Sequence, residues 1–188
     1  MAINTSQAPP AAWDALRAGM DFLRGATETP ARRAAFDPRA YETWYLGLDA
    51  IEAKKGIAAA ERTGWRYLLG GRVAADVYVR DDGYKFAGLN EGPFVQQISD
   101  TIEKVRDQVG NDDYEPRLLQ IPALYIAALW LHGLNDDLFV PLDPSHPEVS
   151  AHRIYARQDF EAALVRAADA RKRAVPPNAY PDDEGHAP

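Results

Sequence analysis

The sequence predicts a single α+β domain in which one antiparallel sheet of about five strands is flanked by helices, mainly on one face. Three observations carry that expectation. Apolar residues recur every three or four positions in several segments, as on one side of a helix. Between residues 65 and 89, three runs rich in β-branched and aromatic residues are separated by Gly70-Gly71 and Asp82-Gly83, dipeptides of tight hairpins. Two further strand-like runs enclose the turn-forming stretch "GLNDD". The chain has 188 residues, 46% of them hydrophobic, which suits one core rather than two.

Residues 1–7 are polar and read as a disordered N-terminus; the domain is expected over 8–173. A first helix begins near Pro9-Pro10, with Trp13, Leu16, Met20 and Leu23 on one side, and "GATETP" closes it. A second helix is expected after Asp37-Pro38, with a stripe of Tyr41, Trp44, Tyr45, Leu48 and Ile51 that Gly56 interrupts. "WRYLL" (65–69), "RVAADVYV" (72–79) and "YKFAGL" (84–89) then form a three-stranded meander. A third helix runs from Pro93 to the stop at Gly110, on Phe94, Val95, Ile98, Ile102, Val105 and Val109.

"RLLQI", a bend at Pro122, the apolar run 123–131 and "LFVPL" (138–142) predict a later hairpin. Pro122 and Gly133 would also bracket a short helix. The strand-like flanks decide for a central strand covered on both faces. A last helix spans about 150–174. An acidic, Pro-rich C-terminal tail follows over 174–188, carrying Asp182, Asp183 and Glu184 behind an Arg-rich helix.

Composition narrows function by exclusion. Without cysteine there is no disulfide, thiol catalysis or thiolate metal site. A net charge of −7 repels phosphate backbones and points away from nucleic acid. No run approaches the ~18 apolar residues of a membrane span, and the N-terminus lacks a leader pattern, so a cytoplasmic location is expected. The Ala- and Arg-rich usage is of bacterial type.

Candidate chemistry is sparse. His132, with Asp136 and Asp137 in the following turn, has the residue types of a general base and its carboxylate partner, but no hydroxyl nucleophile stands beside them. Glu91 is the other nominated acid; its position beside the third helix's positive end explains it equally well. His146, Glu148 and His152 match no zinc spacing, and "GLNEGPF" lacks the Lys of a phosphate loop. No metal and no cofactor is therefore expected.

Strand register supplies the sharper hypothesis. Two-residue loops at Gly70-Gly71 and Asp82-Gly83 set Tyr67 opposite Ala74, Trp65 opposite Asp76 and Arg80 opposite Lys85. One sheet face then carries Trp65, Tyr67, Arg72, Asp76, Tyr78, Arg80 and Lys85, a mix of aromatic rings and cations of the kind enriched at interfaces. The function expected from the sequence is thus a non-enzymatic interaction module. It would bind a protein partner or a second copy of itself through Trp65, Tyr67, Tyr78, Arg80 and Lys85, with the C-terminal helix and tail assisting. The alternative is a small enzyme or ligand-binding domain with a pocket near His132, Asp136 and Asp137.

Overall fold

The computed structural model describes residues 7–26, 39–69, 72–109 and 114–174. The N-terminal residues read from the sequence as disordered, the hairpin glycines Gly70-Gly71, the stop at Gly110 and the acidic tail fall outside these residues, apart from Gln7 and Ala174. The fold is α+β, as the sequence predicts, but its sheet is larger and partly parallel. In chain order the elements are α1 (Pro10–Ala26), β1 (Arg39–Tyr45), α2 (Leu48–Glu52), β2 (Glu61–Leu69), β3 (Val73–Arg80), β4 (Gly83–Glu91), α3 (Pro93–Gln108), β5 (Glu115–Ile121), β6 (Ile126–His132), β7 (Asp137–Pro141), β8 (Tyr155–Ala156) and α4 (Arg157–Ala174). Single 3-10 turns occupy Ile57–Ala59 and Pro122–Leu124. Among the described residues no helix is long and apolar enough to cross a membrane.

Among the described residues eight strands join one sheet in the order β4-β3-β2-β1-β5-β6-β7-β8. Two antiparallel meanders meet at a parallel seam, where Glu42 stands opposite Arg117 and Trp44 opposite Leu119. The segment read as the start of a second helix is β1. Its helical spacing misleads because both of its faces are covered. Ala40, Glu42 and Trp44 point to one side and Tyr41 and Thr43 to the other, so no apolar alternation marks it as a strand. Only Leu48–Glu52 of that stretch is helical. The strand bent at Pro122 is present: β5 ends at Ile121, a 3-10 turn follows, and β6 pairs back on β5.

Helices cover both faces. On the first, α1 lays Ala12, Leu16 and Met20 over Trp65, Tyr67, Val73, Ala75 and Val77, while α4 and α2 cover Leu119, Ala128, Trp130 and Phe139. On the second, α3 buries Val95, Ile98, Ile102 and Val105 against Leu68, Ala74, Leu118, Leu129 and Val140, so its core spans the parallel seam. The turn before β6 is fastened to α4 by Arg171, which donates to the Ala123 carbonyl.

The meander's register differs from the expected one. Leu69 pairs with Val73, so the loop between β2 and β3 holds three residues and Trp65 lies opposite Val77. In the next hairpin Arg80 pairs with Gly83, which moves the turn to Asp81-Asp82. This pairing sets Trp65 and Tyr67 beside Val73, Ala75 and Val77 under α1. It also sets Arg66 opposite Asp76 on the other face. Both apolar matching and charge matching select it.

Candidate functional site

The expected aromatic-cationic face is divided between the two sides of the sheet. Trp65 is 2% exposed and Tyr67 1%, both beneath α1, with Trp13 packed 5.6 Å from the Tyr67 ring. Tyr78, 39% exposed, lies on the opposite face and pairs with Lys85; the Arg80 guanidinium sits 5.6 Å from its ring. Lys85 is held by Asp82 at 2.7 Å, and Arg72 is exposed in the turn before β3. Asp76 is buried in a two-pronged pair with Arg66. Glu91 ends β4, five strands removed from β6, and meets none of the other nominated acids.

His132 and Asp137 do come together. The hairpin between β6 and β7 is closed by this pair, and its loop is the four residues Gly133–Asp136. Gly133 is required there because a Cβ would lie 2.7 Å from the Asp136 carbonyl and 2.8 Å from the Tyr114 ring. Asp137 therefore belongs to β7 and not to the turn. Its carboxylate is buried on the sheet face that α4 covers.

Two hydrogen-bond donors and a guanidinium converge on the Asp137 carboxylate. His132 Nδ1 lies 2.7 Å from Oδ1, and the Trp130 indole N–H donates to the same oxygen at 2.9 Å. The Arg157 guanidinium, on the first turn of α4, is 3.6 Å from Oδ2. A carboxylate can only accept, so Nδ1 carries the proton in this contact. In the neutral form of the ring Nε2 is then the acceptor, and no described residue partners that atom. Asp136 is turned away from the pair and accepts the Tyr114 hydroxyl at 3.0 Å.

Beside the pair lies a half-open cleft of about 520 Å³, bounded by the Gly133–Asp137 segment on one side and Ala156–Asp159 on the other. His132 forms part of its wall, with its side chain 40% exposed, and Leu134 on the rim is 99% exposed. Asn135 and Gln158 add neutral amides. No hydroxyl or thiol nucleophile is among the cleft's lining residues.

Behind the dyad the sheet carries a rigid support. Trp130 stacks on Phe139 (5.6 Å, 26°), and Phe139 stacks on Phe160 of α4 (4.6 Å, 5°). Arg117 is held between the Trp44 and Trp130 rings, 5.1 Å from each, and its charge is met by Glu42 at 3.4 Å and Glu115 at 3.3 Å. Arg62 closes the row on Glu42 at 3.1 Å. The Arg62 contact depends on a bulge at Thr63. There Gly64 is required, because a Cβ would stand 2.1 Å from the Val77 carbonyl.

Sequence reasoning named His132 and Asp137 but missed Trp130 and Arg157. The signal was present in the hairpin. Counting "GLND" as the loop sets His132 opposite Asp137 and Trp130 opposite Phe139. Arg157 comes from an element distant in sequence, and no local pattern marks it.

The three other nominated groups lie at the opposite end of β7. His152 Nε2 lies 2.7 Å from the Asp143 carboxylate, and His146 Nδ1 accepts the Glu148 backbone N–H at 3.2 Å. Among the described residues no group of three or more His, Asp or Glu side chains is arranged to hold a metal. No protein family, curated protein or solved structure matches the chain.

Proposed function

We propose that the chain is a small-molecule-binding protein of the general-base type, with its site in the cleft between the β6–β7 loop and the start of α4. The observation that carries this reading is the 2.7 Å contact from His132 Nδ1 to Asp137, which leaves Nε2 free on a residue that lines a concave surface. In this reading Asp137 fixes the tautomer and orientation of His132, and Nε2 accepts a proton from a ligand hydroxyl or from a water that attacks the ligand. Asn135 and Gln158 hold neutral polar groups, and Leu134 covers an apolar portion. The partner-binding alternative retains Tyr78, Arg80 and Lys85 but lacks Trp65 and Tyr67, which are buried.

The test is NMR with a library of polar fragments, observing both ligand signals and the protein's imidazole resonances, run on wild type and on His132→Ala. Hydroxyl- or amide-bearing fragments should bind wild type, move the His132 Hε1 resonance, and lose binding in His132→Ala. If no fragment moves that resonance, the reading fails and the Tyr78–Arg80–Lys85 patch becomes the surface to probe.

A further inference from the structure

A second concavity lies between α2 and α4, away from the β6–β7 loop. Its volume is about 170 Å³, and its walls are Leu46, Ile51, Ala162, Leu164 and Val165. Gly56 and two charged residues, Lys54 and Glu161, complete the lining. An apolar cavity of about this size holds a benzene-sized molecule. A branched aliphatic side chain fits the same space.

Lys54 and Glu161 line one pocket without pairing with each other. Lys54 is exposed, and among the described residues it forms no ion pair, with Glu161 or with any other acid. Glu161 receives the Ile57 backbone N–H at 2.8 Å and the Arg157 guanidinium at 3.1 Å, both on Oε1. Its other oxygen, Oε2, has no partner among the described residues. Gly56 keeps that carboxylate uncovered, since a side chain there would lie 2.5 Å from Oε1 and 3.2 Å from Oε2. Its φ of +66° independently favours glycine.

We propose that this pocket is a second binding site, which takes a small aliphatic α-amino acid. The ammonium group meets Glu161 Oε2, the carboxylate meets Lys54, and the side chain enters the Leu46–Ile51–Leu164–Val165 wall. Arg157 and the Ile57 N–H engage only Oε1 of Glu161, so Oε2 is open to an ammonium group and Lys54 to a carboxylate; a zwitterion uses both, a ligand with a single charge only one. The proposal does not depend on the reading of the His132 cleft.

The experiment is a titration of the ¹⁵N-labelled full chain with L-leucine, followed through the amides of Ile57, Ala162 and Val165. Saturable shifts at these residues are expected, with weaker binding of isopentylamine and of 4-methylpentanoate, each of which lacks one charge. Glu161→Gln keeps an oxygen for the Ile57 N–H, and Lys54→Met keeps the aliphatic stem. Each should weaken leucine roughly tenfold or more, with amide shifts in the free protein confined to the neighbourhood of the substitution, which for Glu161→Gln includes Ile57 and Arg157. The proposal is overturned by an absence of saturable shifts at these amides. It is equally overturned if either single-charge analogue binds as tightly as leucine, or if neither substitution alters leucine affinity. Should Glu161→Gln fail to fold, the exposed Lys54→Met decides the case.

Discussion

Tyr67 shows how a single residue changes meaning with its surroundings. On an open face it would be a binding residue; beneath α1 it is core, and burial, with the neighbouring Tyr84 adding to it, pushes its phenol up to about 12. The unfolded chain titrates this group near 10, so between about pH 10 and 12 the unfolded state releases a proton that the folded state keeps. Stability from this group is therefore full below about pH 10 and is lost as pH rises toward 12, by about 2 to 3 kcal/mol. Tyr41, raised by burial and partly offset by Arg39 and Arg106, acts in the same direction. The Tyr67 hydroxyl is buried with no hydrogen-bond partner among the described residues. Tyr67→Phe should therefore match or exceed wild type in urea unfolding at neutral pH and show a smaller alkaline loss. A fall of more than about 1 kcal/mol at neutral pH would mean that the hydroxyl has a partner after all.

At the scale of elements, the β2–β3 pairing is anchored by charge as well as by packing. Arg66 donates to both Asp76 oxygens at 2.7 and 2.8 Å, and Asn90 on β4 donates to Oδ2 at 2.7 Å, so one carboxylate ties three strands. Phe94, at the start of α3, lies 6.0 Å from the guanidinium. Removing one partner leaves a buried charge unmet, so Asp76→Ala should cost about 3–5 kcal/mol, while removing both with apolar residues of similar volume should cost much less. Chemical denaturation of Asp76→Ala and of Arg66→Met/Asp76→Leu checks this; equal losses would assign the effect to packing. The sequence offered both residues but could not pair them, because register depended on a loop counted as two residues where three are used. The same counting problem hid the closing pair of the other hairpin, His132 and Asp137.

Across the whole molecule, two meanders meet at one parallel seam, and the α3 core crosses it. Leu68 and Ala74 from one half share that core with Leu118, Leu129 and Val140 from the other. Both halves bury this face beneath the same helix, so the domain should unfold in one cooperative transition. Trp65 reports on the first meander and Trp130 on the second. Single-tryptophan variants retaining either residue should give the same denaturation midpoint as far-ultraviolet circular dichroism. Separated midpoints would show that the halves unfold independently.

The sequence by itself determined what local physics can determine. The helical spacing of Leu16 and Met20, and of Ile98, Ile102 and Val105, marks α1 and α3 because each presents one apolar side. The β-branched runs and turn residues mark β2, β3 and β4, and the Pro122 bend marks the β5–β6 corner. Tertiary structure alone decided β1, since a strand covered on both faces carries no alternation to read. It decided the sheet's parallel seam, which joins residues 42 and 117 through no local signal. It decided the binding surfaces as well. A shift of one residue in a hairpin moves every side chain to a new neighbour, and only the simultaneous burial of Trp65 under α1 and Arg66 against Asp76 selects the register that is used.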